Sequence, residues 1–283
     1  MALPLHATTG ERILHYTFLT ICVLIFMFLI VPILIIFPLS FNAQPYFSFT
    51  PEMLSLDPAG FSTRWYQEFF TSSTWQQAVK NSLIIAFFST IISTFLGTLA
   101  ALGLSRKEFP YKTAIMGLLI SPMVVPLIIS AAGMFFFYSR IGLQGTHVGV
   151  ILAHAALATP FVVIVVTATL VGFDHSLTRA AASLGASPTR TFFQITVPLI
   201  TPGVISGALF AFITSFDEVV VVLFVGSVKQ RTIPWAMFSG IREQISPTIL
   251  AVATILIMFS VVLLASIEML RRRNERLRGM SPI

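Results

Sequence analysis

The dominant pattern along this chain is a succession of long, neutral, apolar stretches separated by short clusters of charge. Uncharged runs lie between Arg12 and Glu52, Lys80 and Arg106, Lys112 and Arg140, Arg140 and Asp174, Arg190 and Asp217, and Glu243 and Glu268. Each can hold about 20 residues of apolar helix, the length that crosses a hydrocarbon core. The pattern predicts helices over 15–38, 82–105, 113–138, 147–172, 200–226 and 248–270. An even number of crossings puts both termini on one side.

Composition agrees with that reading and removes others. The chain is 56% apolar and only 10% charged, with a mean hydropathy of +0.90, whereas a soluble domain needs roughly 25% charged residues to cover its surface. Such a chain requires a lipid bilayer as its solvent. The 27 Phe residues add apolar area without a polar atom that hydrocarbon would leave unsatisfied. The formal charge of +6 does not point to nucleic acid, because five of the positives, Arg271, Arg272, Arg273, Arg276 and Arg278, form one tail. That tail reads as an orientation signal. The single Cys22 excludes an intrachain disulfide and fits a small buried apolar position. The first run is too long for a cleaved signal and is expected to remain as a helix.

Lys and Arg near a span hold their segment in the cytoplasm. With cytoplasmic termini that side carries Arg12, Arg106, Lys107, Lys112, Arg179, Arg190 and the five tail arginines, eleven in all; the other side carries six, Arg64, Lys80, Arg140, Lys229, Arg231 and Arg242. The bias predicts N-in, C-in. The outer segment 40–80 has Trp65, Tyr66, Phe69, Phe70 and Trp75 spaced for one face of a short interfacial helix, which fits membrane anchoring or docking of an external protein. The outer segment 227–247, with Lys229, Arg231, Trp235, Arg242 and Glu243, is longer than a turn requires and is the better docking candidate. No internal repeat or low-complexity tract is visible, so one membrane domain is expected.

The inner segment from Asp174 to Pro202 predicts two short helices. Asp174 or Ser176 can cap a helix whose Leu177, Ala180, Ala181 and Leu184 recur at helical spacing, and Gly185 can end it in the left-handed region. Ser187 and Pro188 form a second start signal, for a helix carrying Phe192, Phe193 and Ile195 up to Pro198; Thr201 and Pro202 repeat that signal for the fifth span. Small residues at 180, 181, 182 and 185 leave backbone near the surface, so the pair can enter a partner's groove and be moved as a rigid body. Pattern alone fits an amphipathic loop resting on the membrane equally well.

These residues carry a resemblance. Arg179-Ala180-Ala181, then Gly185, then Ile195-Thr196-Val197-Pro198 resembles the EAA loop of ABC-importer permeases, with Arg179 where the motif has Glu and Val197 where it has Leu. Ser62-Thr63-Arg64-Trp65-Tyr66, Asn81-Ser82-Leu83, Gly97-Thr98-Leu99-Ala100-Ala101 and Ser215-Phe216-Asp217-Glu218-Val219-Val220 are similar to the C-type permease subunits of spermidine/putrescine importers, over roughly residues 60–270. The resemblance implies an all-α polytopic membrane protein with six transmembrane helices in the type I ABC-importer (MetI-like) permease fold. It further implies that Arg179, Ala180, Ala181, Leu184, Gly185, Ile195 and Pro198 couple the chain to a cytoplasmic ABC ATPase dimer, which itself binds the ATP and Mg. This chain then needs no cofactor. A second homologous permease subunit, a periplasmic or lipid-anchored substrate-binding protein and a small cationic solute complete the implied assembly, in a bacterial inner membrane. The domains expected are a cytoplasmic N-terminus at 1–14, a permease domain at 15–270 with coupling helices at 174–198, and a basic cytoplasmic tail at 271–283.

Asp217 and Glu218 are the only acids well inside a predicted span. An acid at mid-membrane costs about 2.5–3.5 kcal/mol on insertion scales, so they should face protein or water. Counting about 1.5 Å per residue from Pro202 puts them some 23 Å up the fifth helix. They either line a path for a cation such as a polyamine or make an ion pair at a helix or subunit junction, with Lys229, Arg231 or another subunit supplying the positive charge. Pro122, Pro126 and Pro160 interrupt the third and fourth spans and free carbonyls there.

Other chemistry lacks its residues. No phosphate-binding Gly-x-x-x-x-Gly-Lys-Ser/Thr loop is present, so ATP hydrolysis belongs to a partner. The five His residues are scattered, without metal spacing. His154, near several Ser and Thr, raises an intramembrane protease, but no matching serine elbow accompanies it. A self-contained channel or secondary carrier would show paired half-sequences, which are absent. Within the importer reading, an opine, an amino-acid derivative or a phosphonate remains an alternative solute.

Overall fold

The computed structural model describes the backbone of residues 8–106, 108–243 and 246–277, with side chains except those of 242–243, 263–264, 266–268 and 270–277. In chain order its α-helices are α1 Thr9–Leu39, α2 Pro51–Leu54, α3 Arg64–Thr71, α4 Ser73–Leu104, α5 Lys112–Val124, α6 Leu127–Arg140 and α7 His147–Val171. They continue with α8 Ser176–Ser183, α9 Pro188–Thr191, α10 Val197–Phe216, α11 Val220–Val225, α12 Ile233–Glu243 and α13 Thr248–Leu277. Among the described residues there is no strand, only an isolated bridge between Asn42 and Phe61. The chain divides into two compact units, 1–72 with 240–283, and 73–239.

In the second unit α7 is the central helix. Val150, Ala153, Ala158, Val162, Val163 and Val166 have no exposed surface, because α4 and α10 both pack along it. Small residues allow the approach. A Cβ added to Gly97 of α4 would lie 2.6 Å from the Val162 Cβ, and one added to Gly207 of α10 would lie 3.2 Å from the Val162 Cα. Val162 is thus wedged between the backbones of two helices. Gly97→Val is expected to lower the thermal midpoint of the detergent-purified protein, with overpacking costing about 1–3 kcal/mol; a melting curve matching that of the parent would contradict this packing.

The start of α4 is tied to the segment 229–233 by polar side chains. Asn81 donates through Nδ2 to the carbonyls of Lys229 and Arg231, each at 2.8 Å, and the Ser82 hydroxyl accepts from the Ile233 amide at 2.8 Å. Both side chains are buried on α4. This explains why α4 begins at Ser73, nine residues before the start expected at 82. Its first turns carry Gln76, Gln77 and Lys80 along a cleft of 780 Å³, so the helix continues beyond its apolar stretch.

Two predicted spans depart from the helices expected. The stretch expected at 113–138 is two helices, α5 and α6, bent by 100°. Pro126 disfavours helical geometry at the residue before it, and Val125 is extended at φ −72°, ψ 133°. Pro122 and Pro160 lie inside unbroken helices. The fifth span begins much earlier than expected, as one helical run over Pro188–Phe216, and ends at Asp217 rather than continuing to 226. Pro198 therefore does not end the second helix, and Thr201-Pro202 does not start a new one. Residues Phe192–Thr196 form a π turn just ahead of Pro198, whose wider loop accommodates a residue with no amide to donate. The Thr201 hydroxyl folds back on the Val197 carbonyl at 2.7 Å, as a residue within a helix does.

Among the described residues four helices are long and apolar enough to cross a membrane, or five with the bent pair taken as one span. The sixth predicted span corresponds to α13, whose described apolar stretch is Thr248–Val262. The side chains of Arg242, Glu243, Glu268, Arg271, Arg272, Arg273 and Arg276, and Lys107 and Arg278 entirely, lie outside the described residues. In the first unit Trp65 and Phe69 of α3 are buried, whereas Phe70 is exposed, and the indole of Trp65 donates to the Asn42 carbonyl at 2.7 Å. Glu68 accepts from the Thr248 hydroxyl at 2.8 Å, joining α3 to α13. Trp75 belongs to α4, so the aromatics do not share one interfacial helix.

Candidate functional site

The helix pair at 174–198 is built by local signals. The Ser176 hydroxyl and amide both donate to Asp174, at 2.7 and 2.8 Å, and these bonds hold the Asp174 carboxyl below its ordinary range. At the other end of α8 the Ala186 amide bonds the Ala181 carbonyl and the Gly185 amide the Ala182 carbonyl, both at 3.0 Å. That pair of bonds is a Schellman stop, which requires the left-handed φ of +80° found at Gly185. One residue beyond Ala186, the Ser187 hydroxyl accepts from the Arg190 amide to start α9, with Pro188 in the first turn.

Of the predicted coupling residues, Ala181 is buried under α8, while Arg179, Ala180 and Gly185 are exposed. Leu184 is 88% exposed. Ile195 lies in the π turn and Pro198 at the start of α10. The apolar stripe of α8 is therefore split: Ala181 faces its own unit, whereas Leu177 and Leu184 point away from it. An open cleft of 610 Å³ runs beside α8, lined among others by Arg106, Thr178, Ala182 and Phe192. Because α9, the π turn and α10 form one run, a displacement at Pro188 can be passed along about 40 Å of helix to Phe216.

That run ends at the acids. Asp217 is the C-terminal cap of α10, and its amide bonds the Ile213 carbonyl. Glu218 reaches forward and accepts from the Val221 amide at 3.0 Å, capping the start of α11. The two acids thus sit in a three-residue interruption between helices and not on the side of a continuous one. The Asp217 side chain is exposed and has no ion-pair partner among the described residues. Neither nearby cation named from the sequence meets it: Lys229 lines the cleft at the start of α4, and the Arg231 guanidinium stacks over Trp235 at 4.2 Å.

Sequence reasoning did not pair His154 with Ser215. Nδ1 of His154 lies 2.9 Å from the Ser215 hydroxyl and 3.1 Å from the Ser215 carbonyl. The distance is that of a Ser–His dyad, but the residues are 1% and 4% exposed, which leaves no approach for a peptide. The carbonyl can only accept, so Nδ1 carries the proton and cannot serve as the base for the hydroxyl. The partners are 61 positions apart, with no local signal to link them. Among the described residues no group of three His, Cys, Asp or Glu is arranged to hold a metal.

Comparison with known proteins places this architecture. Residues 93–276 match the model of the family described as binding-protein-dependent transport system inner membrane component. The chain is 34% identical over 251 residues to the spermidine/putrescine transport system permease protein PotC of Haemophilus influenzae, covering 89% of this chain and 95% of that protein. The fold matches two crystal structures of bacterial alginate ABC transporters. One, involved in alginate import, has a TM-score of 0.71 at 14% identity, covering 94% of this chain and 99% of the other. The second, in complex with an alginate pentasaccharide-bound periplasmic protein, has a TM-score of 0.65 at 16% identity and 97% coverage of each chain. This chain belongs to the inner-membrane component family of binding-protein-dependent transport systems and is a permease subunit of an ABC importer.

Proposed function

We propose that this permease imports a polyamine, forming half of a translocation path with a second homologous membrane subunit. A cytoplasmic ABC ATPase dimer, holding ATP and Mg, grips α8 through Ala180, Leu184 and Gly185, with Arg179 at the rim of the contact. Closure of the dimer moves α8 and α9, and the run through Ile195 and Pro198 carries that motion to Asp217 and Glu218. An external binding protein delivers the solute from the opposite side, and both termini lie in the cytoplasm. ATP and the loaded binding protein must each prefer one access state, since a ligand indifferent to both shifts nothing.

The observation that carries the solute class is Asp217, an exposed carboxylate at a helix interruption with no cation paired to it among the described residues. In hydrocarbon such a group needs a positive partner, and a cationic solute supplies one. The similarity to a protein named for spermidine/putrescine transport supports the same class, and the alginate transporter bound to a periplasmic protein supports delivery by an external partner. Exposure of Leu184 supports a docked ATPase, because an isolated apolar side chain at a helix stop gains by entering a partner's groove.

The test is ATP-driven uptake by the co-expressed complex in liposomes, with labelled putrescine or spermidine competed against amino acids, opines and phosphonates. Displacement by polyamines alone is expected. Displacement by another class moves the solute assignment and leaves the permease; transport by this chain without the ATPase would replace the whole scheme with a channel or carrier.

A further inference from the structure

The break that presents the two acids is short. Only Asp217, Glu218 and Val219 separate α10 from α11, and the last carbonyls of a helix lack intrahelical amides to receive. Ser215 lies in that last turn. Its carbonyl is met by a side chain from another helix: Nδ1 of His154, at 3.1 Å, which also lies 2.9 Å from the Ser215 hydroxyl.

The chemistry of the partners assigns the proton. A carbonyl oxygen accepts and never donates, so Nδ1 bears the hydrogen and shares it between the two oxygens of Ser215. Nε2 then carries a lone pair; it is fully buried and has no partner among the described residues. His154 itself is 1% exposed on α7, the helix around which this unit packs. The end of α10 is thereby keyed to the buried central helix of its unit, through one donor nitrogen.

Resting on the reading of Asp217 and Glu218 as path residues, we infer that His154 is the positioning residue of the acidic break: by donating Nδ1–H to the Ser215 carbonyl, it fixes where α10 ends and hence where the carboxylates stand. It touches no solute. Its requirement is a donor at the Nδ1 position, which the amide nitrogen of Asn reproduces, whereas that of Gln falls nearer the place of Nε2.

The experiment uses the complete co-expressed complex in liposomes with His154→Asn, His154→Gln and His154→Leu. For putrescine uptake, His154→Asn keeps KM within about twofold of the parent, while His154→Gln and His154→Leu raise it roughly tenfold, the usual scale for losing a buried hydrogen bond. Basal ATP hydrolysis is unchanged in all three.

A second readout is independent of solute. In a Cys22→Ser background a cysteine reporter is introduced as Val219→Cys, and its rate of modification by a cationic methanethiosulfonate is measured. That rate shifts about tenfold in the Gln and Leu variants and stays at the parental value with Asn. Equal reporter rates in all variants, or failure of Asn to restore what Leu loses, overturns the inference, including the case in which none of the three assembles. A shifted reporter rate with an unaltered putrescine KM keeps His154 as the positioning residue and removes the acids from the solute path.

Discussion

Gly185→Val is expected to reduce ATP-driven uptake tenfold or more while the complex still assembles and basal ATP hydrolysis persists. The cause is conformational, because a Cβ at Gly185 meets nothing within 4 Å. At φ +80° a side chain instead crowds the following carbonyl, at about 1–2 kcal/mol for an ordinary residue and more for a β-branched one. The Schellman bonds of Gly185 and Ala186 then open, α8 frays at Leu184, and the surface proposed to be gripped by the ATPase loses its rigidity. Gly185→Asn is the control. Asn visits the left-handed region readily, so uptake per ATP hydrolysed should return to within about twofold of the parent, a residual difference of about 0.4 kcal/mol. Equal coupling in the Val and Asn variants would separate the helix stop from transport.

Asp217→Asn is expected to raise KM for putrescine about tenfold, equivalent to about 1.4 kcal/mol of lost attraction, with little change in yield or thermal midpoint. The side chain is exposed and its removal leaves no partner unsatisfied among the described residues. Surface substitutions of that kind usually stay within about 0.5 kcal/mol. Glu218→Ala should show the reverse emphasis. Its carboxylate accepts from the Val221 amide, and loss of a helix cap costs about 0.5–2 kcal/mol, so the thermal midpoint should fall. Uptake kinetics and melting curves on the same preparations separate the two acids. An unchanged putrescine KM in Asp217→Asn would leave that residue with no part in solute recognition.

The local devices were legible because each depends on residues a few positions apart. Gly185 after a small-residue helix, and Ser187 before Pro188, specify a stop and a start by backbone geometry alone. Charge marks the element boundaries less well. Lys80 lies within α4, because a helix can extend past the apolar stretch that holds it in lipid. Prolines act differently in different surroundings: Pro126 breaks its helix, whereas Pro160 sits buried inside α7 and Pro198 follows a π turn. The acidic pair stands out as charge within a hydrophobic run, but its placement in an interruption depends on contacts that no window of sequence contains.

What the amino-acid order by itself determined is the class of the molecule and its local punctuation. Too few charges to cover a soluble surface, apolar runs of bilayer length, and the cap and turn residues of the helix pair at 174–198 all act over short distances, where chemistry is decided by immediate neighbours. What only the tertiary structure decided is where helices end when no local signal ends them, and which distant groups satisfy the ends. Asn81 holds carbonyls at 229 and 231, and His154 holds Ser215. Such pairings arise because buried polar groups must find partners wherever packing brings them, and packing is a property of the whole unit.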